Sequence, residues 1–213
     1  RGKPMIVELY GLPGSGKTTL SRQISHDENL RIVRIENRAE ILRYNILFLL
    51  RHPVKFLVLF GYLVRGSSSR KMFNFKFLSF FLNRNAKYQK AKGYPLALID
   101  EGHFQNIVSF FETRVSETQL RRCLKFTPMP DLLVILKLTR EELEAVVEGR
   151  DFTTRKERGS AYMSAWLEAI QANNETLLHI VPSLNTRHII VDSRQQVNRD
   201  ELLALLSQLH ETA

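Results

Sequence analysis

Cysteine is nearly absent from this chain, and acid is scarce in one long stretch of it. Cys123 is the one cysteine in 213 residues, which excludes an internal disulfide and a cysteine-rich metal site. A lone thiol of this kind reads as a buried side chain, and a chain without disulfides suits a reducing cytosol. Residues 31–95 hold fourteen Lys or Arg against two acids, Glu36 and Glu40. The whole chain carries a net +9, so its remainder is slightly acidic. A basic segment of this kind implies an anionic partner: a nucleotide, a phosphorylated substrate, nucleic acid or a membrane surface. No recognition motif for nucleic acid is present, so the chain is not read as a nucleic-acid binder. A guanine-reading N-K-x-D motif is also missing from its expected place. No uninterrupted apolar run spans a membrane. Asn45 to Val64 has about the right length, but Arg51, His52, Pro53 and Lys55 cluster in its middle, where charge is costly. The N-terminal apolar run is too short for a secretory leader. Internal repeats, low-complexity tracts and a separate second domain are absent too. An apolar fraction of 44% and this length suit one α/β domain, residues 1–213, with an inserted subdomain.

What is present is organised around residues 5–20, MIVELYGLPGSGKTTL. Met5 to Tyr10 reads as a buried strand. Gly11 to Gly16 is a glycine-rich turn, and a helix starts at Lys17. Gly11-x-x-x-x-Gly16-Lys17-Thr18 fits the phosphate-loop pattern at every required position. The loop Gly11, Leu12, Pro13, Gly14, Ser15, Gly16, with Lys17, Thr18 and Thr19, is therefore the candidate nucleotide cradle. Glycines let bare N–H groups approach phosphate oxygens, and the helix N-terminus adds partial positive charge. Lys17 reaches the β- and γ-phosphates, and Thr18 offers a hydroxyl to Mg²⁺.

A second motif follows in order. Leu96 to Ile99 is a continuous apolar strand, buried on both faces as a central parallel strand is, and it ends in Asp100-Glu101. An acid at that strand end is placed to hold Mg²⁺, so Asp100 joins Thr18 as a candidate metal ligand. Residues 31–36 alternate like a strand. Residues 132–138 read as another buried strand and 188–192 as the last one. Helices are expected over 17–26, 105–126, 141–148, 160–178 and 197–209. Five strands alternating with helices argue for a parallel sheet covered on both faces, a three-layer α/β domain.

Between the second and third strands lies a basic, aromatic insert, residues 37–93. Twelve of the twenty aromatic residues fall between Tyr44 and Tyr94, at helical spacing. Pro53 and Gly66-Ser67-Ser68-Ser69 break it into helices, with one stretch over about 71–92. Most stripes of this kind pack on a core with their basic side in solvent. A hairpin lying on a membrane, or covering a substrate, is the sharper reading. Residues 149–159 carry Arg150, Arg155 and Arg158 in a polar stretch between helices. A planar, permanently charged fork suits charge spread over transferring phosphoryl oxygens, so this stretch is expected to be a lid.

In this order of elements the chain resembles the nucleotide-kinase branch of the P-loop proteins, the thymidylate kinase-like and deoxynucleoside kinase-like group, as a divergent member. The resemblance covers most of the chain, though only the phosphate loop is close in letters. It implies the P-loop fold, ATP and Mg²⁺, and phosphoryl transfer to a small acceptor. Phe80-Phe81-Leu82-Asn83-Arg84 looks like the family segment whose arginine contacts the acceptor's phosphate, which would give Arg84 an acceptor-binding role. The lid arginines would contact ATP phosphates, and Glu36 lies where deoxynucleoside kinases place a carboxylate base. Arg38 and Arg43 are further acceptor candidates. One departure stands out: the family usually follows the strand-end acid with arginine, and here Glu101 stands in its place. A carboxylate there suits a base toward a hydroxyl acceptor, on a nucleoside, sugar or lipid-linked compound, or a group that orients water. The expectation is thus a cytoplasmic small-molecule kinase. The alternative is a nucleotide-dependent ATPase or switch that docks on a membrane or protein through residues 40–92.

Overall fold

The computed structural model describes residues 4–25, 30–139, 141–143, 145 and 157–192, with 204, 206 and 208. Its centre is a five-stranded sheet in the order β2-β3-β1-β4-β5, every neighbouring pair parallel. The strands are β1 (Met5–Tyr10), β2 (Arg31–Ile32), β3 (Leu96–Ile99), β4 (Leu132–Lys137) and β5 (Arg187–Asp192). β1 lies in the middle, with Met5 opposite Leu96 on one side and Val7 opposite Leu132 on the other. This is the α/β fold of P-loop proteins expected from the sequence.

Every residue of β1 is buried, because helices cover both faces of the sheet. Alternation along the strand sorts its side chains. Met5, Val7 and Leu9 point to the layer of α1 (Lys17–Ile24), where they meet Leu20 and Ile24. Tyr10 points the other way, into the larger core with Phe81, Phe104, Trp166 and Ile170. Its hydroxyl donates to Asn174 Oδ1 at 2.7 Å, tying the end of β1 to α8 (Ser160–Ile180). Glu8 has the parity of Tyr10, so a carboxyl group goes into that layer as well.

The insert is helical apart from breaks at His52 and over 66–69. α2 (Arg38–Arg51) starts at Asn37, whose side chain accepts from Glu40 N–H. α3 (Pro53–Arg65) starts with proline in its first turn, which costs no helical hydrogen bond there. α4 (Arg70–Lys76) is capped by Ser69, passes into a π-helical segment Phe77–Leu82, and leads to α5 (Asn83–Ala91). The expected stretch over 71–92 is thus one helical run with a π segment at its centre.

Two expectations need correction. The second strand is Arg31–Ile32 rather than 31–36, because only Val33 N–H extends the pairing, to Leu98 O. The expected helix over 105–126 is two: α6 (Asn106–Phe110) and α7 (Glu117–Phe126). Side chains take the backbone groups in between. Asn173 accepts from Val115 N–H at 2.9 Å and donates to Thr113 O at 3.1 Å, and Ser116 with Gln119 forms a capping box that restarts the helix. Cys123 is buried, as expected, and burial pushes its thiol up to about 12.

Candidate active site

The phosphate loop leaves the carboxyl end of β1, next to the loop that leaves β3, at the edge where parallel sheets bind ligands. Gly14 and Gly16 have φ of 91° and 83°, the left-handed region that side chains avoid. That bend delivers Lys17 to the start of α1. Its ammonium folds back over the loop and donates to Gly11 O at 2.7 Å, Leu12 O at 3.0 Å and Ser15 Oγ at 3.3 Å. A cation held among carbonyls at a helix N-terminus is set to meet an anion.

Beside the loop opens a cleft of ≈ 270 Å³. Pro13, Gly14, Gly16, Lys17, Thr18 and Thr19 form one wall. Opposite them stand Arg84, Glu101, Gln105 and Ser109, with Phe80, Val108, Trp166 and Ile170 as apolar surface. α5 presents Arg84, which is 2% exposed and fully engaged. Its guanidinium donates to Asn106 Oδ1 at 2.6 Å and Ser109 Oγ at 3.1 Å, lies 3.9 Å from Glu101 Oε2, and stands 4.6 Å from the Phe80 ring centre. Gln105 is buried, and its Oε1 has no hydrogen-bond partner among the described residues.

Under the cleft lies a carboxyl group. Glu8 is 2% exposed and accepts Phe104 N–H at 2.7 Å. Burial raises its pKa to about 8, against the opposing pull of that hydrogen bond and of Arg84. Gly102 makes room for it: a Cβ there would come within 2.4 Å of the Glu8 carboxyl carbon. His103 stacks on Phe48 at 5.6 Å, and burial first, then Arg84, depress its pKa to about 3. The turn 100–104 therefore rests on a neutral acid and a neutral imidazole.

No family model matches this sequence, and no curated protein does. Solved structures do. The deoxyadenosine kinase from M. mycoides with products dCMP and a flexible dCDP bound superposes with a TM-score of 0.52 at 13% identity, over 98% of this chain and 100% of that one. The same kinase with dATP bound gives 0.52 at 15% identity, over 96% and 100%. The chain has the deoxynucleoside kinase fold.

On that fold, the expected site residues divide into three groups. Lys17, Thr18, Arg84 and Glu101 meet in one cleft. A second group does not reach it. Glu36, Arg38 and Arg43 are exposed and lie outside the lining of the cleft, since β2 stops short and α2 carries both arginines on its solvent side. The Asp100 carboxylate accepts from Lys87 Nζ at 2.6 Å. Arg158 is turned to Glu112 at 3.4 Å, to Ser68 and to the Tyr162 ring, at the base of the insert. The third group, Arg150 and Arg155, lies outside the described residues, as do half of 141–148 and most of 197–209. Sequence reasoning missed Glu8, Gln105 and Trp166. The signal for Glu8 was there: an acid inside an otherwise apolar central strand. Gln105 and Trp166 carry no local mark, because only the packing of α6 and α8 turns them toward the loop.

Proposed function

We propose that this chain is an ATP-dependent phosphotransferase that moves the γ-phosphate to a hydroxyl of a small acceptor of nucleoside type. The observation that carries this reading is the single cleft in which Lys17 and the loop amides face Glu101, Arg84 and Gln105. Lys17 and the loop bind the phosphates of ATP. The acceptor lies against Trp166 and Phe80, and its polar edge meets Arg84 and the unpartnered Gln105 Oε1. Glu101 takes the hydroxyl proton as the acceptor oxygen bonds to the γ-phosphorus. The bond from that phosphorus to the β–γ bridging oxygen breaks, and ADP leaves. The bound dATP, dCMP and dCDP of the M. mycoides enzyme support a nucleoside-type acceptor.

Thr18 offers a hydroxyl at the cleft, a hard-oxygen donor that fits Mg²⁺, and Asp100, the other expected ligand, accepts from Lys87 Nζ at 2.6 Å. Among the described residues no group of three His, Cys, Asp or Glu could hold a metal alone, and Mg²⁺ bound with nucleotide takes most of its ligands from phosphate and water. When bound, it neutralises phosphate charge.

The test is transfer of labelled γ-phosphate from ATP to a panel of deoxynucleosides, nucleosides and sugars. Label on a nucleoside is the expected result, and Lys17→Ala should lower the rate by about a thousandfold or more. Label appearing only as free phosphate, whatever the acceptor, would replace this reading with an ATPase.

A further inference from the structure

The outer side of the α2–α3 hairpin is apolar where a surface helix is normally polar. On α2, Leu42, Ile46, Leu49 and Leu50 are exposed at a spacing that puts them on one stripe, and Leu50 is 72% exposed. α3 continues the pattern with Val54, Leu57 and Val64, and Leu57 is 62% exposed. The core contacts of the same helices come from other faces, through Phe48, Leu59 and Leu63. Scattered exposed leucines need no explanation, but a stripe along both arms of one hairpin does. The two helices bend by 114°, and Leu49, Leu50, Pro53 and Val54 bracket the bend.

Positive charge gathers at the same corner. Lys92 Nζ lies 2.9 Å from His52 Nε2, between Arg51 and Lys55 in sequence. No carboxylate among the described residues pairs with Arg51, Lys55 or Lys92, and no Asp or Glu occurs over residues 41–99. Burial and then these cations hold His52 below the usual imidazole range, and burial with Arg51 and Lys55 does the same to Lys92. Like charges held this close favour a counter-anion.

We propose that the corner of the α2–α3 hairpin docks on an anionic lipid bilayer surface, with its leucines in the interface and its cations at the headgroup phosphates. An apolar stripe edged with cations is what such a surface binds. A second copy of the chain fits less well, because a two-fold contact would set this cationic corner against itself with no carboxylate to relieve it. Spanning is a different matter: among the described residues no single helix is long and apolar enough to cross a membrane. The proposal does not rest on the phosphotransfer reading.

The experiment is co-sedimentation of the full chain with phosphatidylcholine vesicles, with and without phosphatidylglycerol. Pelleting should need the anionic lipid and weaken with salt. Reversing charge with Arg51→Glu and Lys55→Glu together should cut partition roughly tenfold or more. Leu50→Asp with Leu57→Asp should abolish it while the circular dichroism spectrum stays unchanged. As a second readout, Leu50→Trp should add blue-shifted emission on anionic vesicles alone. Absence of pelleting and of that shift overturns the proposal. So does pelleting that ignores the leucine changes, and so does a dimer in solution that Leu50→Asp dissociates.

Discussion

The floor of the phosphate cleft and the corner of the α2–α3 hairpin both concentrate ionisable groups, and they treat them in opposite ways. Beneath the cleft, burial keeps Glu8 and His103 neutral, and the permanently charged Arg84 is tied down by Asn106, Ser109 and the Phe80 ring. At the corner, Arg51, Lys55 and Lys92 meet no carboxylate among the described residues. Buried charge must be neutralised or tied down, because desolvating it costs several kcal/mol per ion. Among the described residues the corner's cations meet only neutral partners, Gln89 for Arg51 and His52 with the Tyr88 ring for Lys92, and so remain available to an anion. The first arrangement fixes a shape, and the second leaves a surface to be completed.

The sharpest way to break the buried arrangement lies at the base of the insert. Lys76 is 0% exposed, and its ammonium meets Glu112 at 2.8 Å, Gly66 O at 2.6 Å and Phe110 O at 2.7 Å. Lys76→Met leaves Glu112 and two carbonyls without their cation and should cost about 3–5 kcal/mol in urea unfolding. Adding Glu112→Leu should recover only part of the loss, since it removes the unpaired carboxylate but leaves the Gly66 and Phe110 carbonyls without a donor. The Glu112 carboxyl tests the same point from the other side. Burial alone would raise its pKa, but the bonds from Lys76 and Ser68, with the nearby charges of Lys76 and Arg158, bring it below the usual range.

Glu8 and His103 supply the next effect, in the pH dependence of stability. Glu8 is raised from 4.5 to about 8, so between those values the folded chain holds a proton that the unfolded chain has lost, and stability falls as pH rises. His103 is lowered from 6.5 to about 3, so over that window the unfolded chain holds the extra proton and stability falls as pH falls. The two slopes oppose each other from 4.5 to 6.5 and leave Glu8 alone from 6.5 to 8. Glu8→Gln keeps an acceptor for Phe104 N–H but cannot ionise. Unfolding curves of this variant should lose the decline between pH 6.5 and 8 that the parent shows. An unchanged decline would mean that Glu8 is already ionised at neutral pH.

Much of the fold was legible because its signals are local. The phosphate loop needs glycine at set places, and buried parallel strands read as unbroken apolar runs, so β1, β3 and β4 and the loop could be placed from letters alone. Half of the cleft was legible for the same reason: Lys17 and Thr18 open the helix after the glycine loop, and Glu101 follows the end of β3. The other half depends on long-range packing. Nothing near Gln105 or Trp166 says that α6 and α8 turn them toward the loop. Glu36 has a strand-like neighbourhood, yet β2 pairs over two residues and leaves it in solvent. The break between α6 and α7 depends on Asn173, about sixty residues further on, which no local reading could supply.

The smallest expected effect sharpens the other side of the comparison. Phe48 and Leu50 stand two residues apart on α2, at 0% and 72% exposure. Phe48 packs on His103, Phe56 and Tyr88, so Phe48→Ala opens a cavity worth about 3–5 kcal/mol. Leu50→Asp removes a side chain that is already mostly in water, so little burial is lost. A new carboxylate near the helix C-terminus is opposed by the helix dipole, by roughly 0.3–1 kcal/mol. The cations of Arg51 and Lys55 pull the other way, and the two contributions nearly cancel. The urea midpoint of Leu50→Asp should therefore stay within about 0.5 kcal/mol of the parent. A larger loss would mean that this stripe is already covered in solution, by another copy of the chain, and the contrast between a fixed floor and an open corner would collapse.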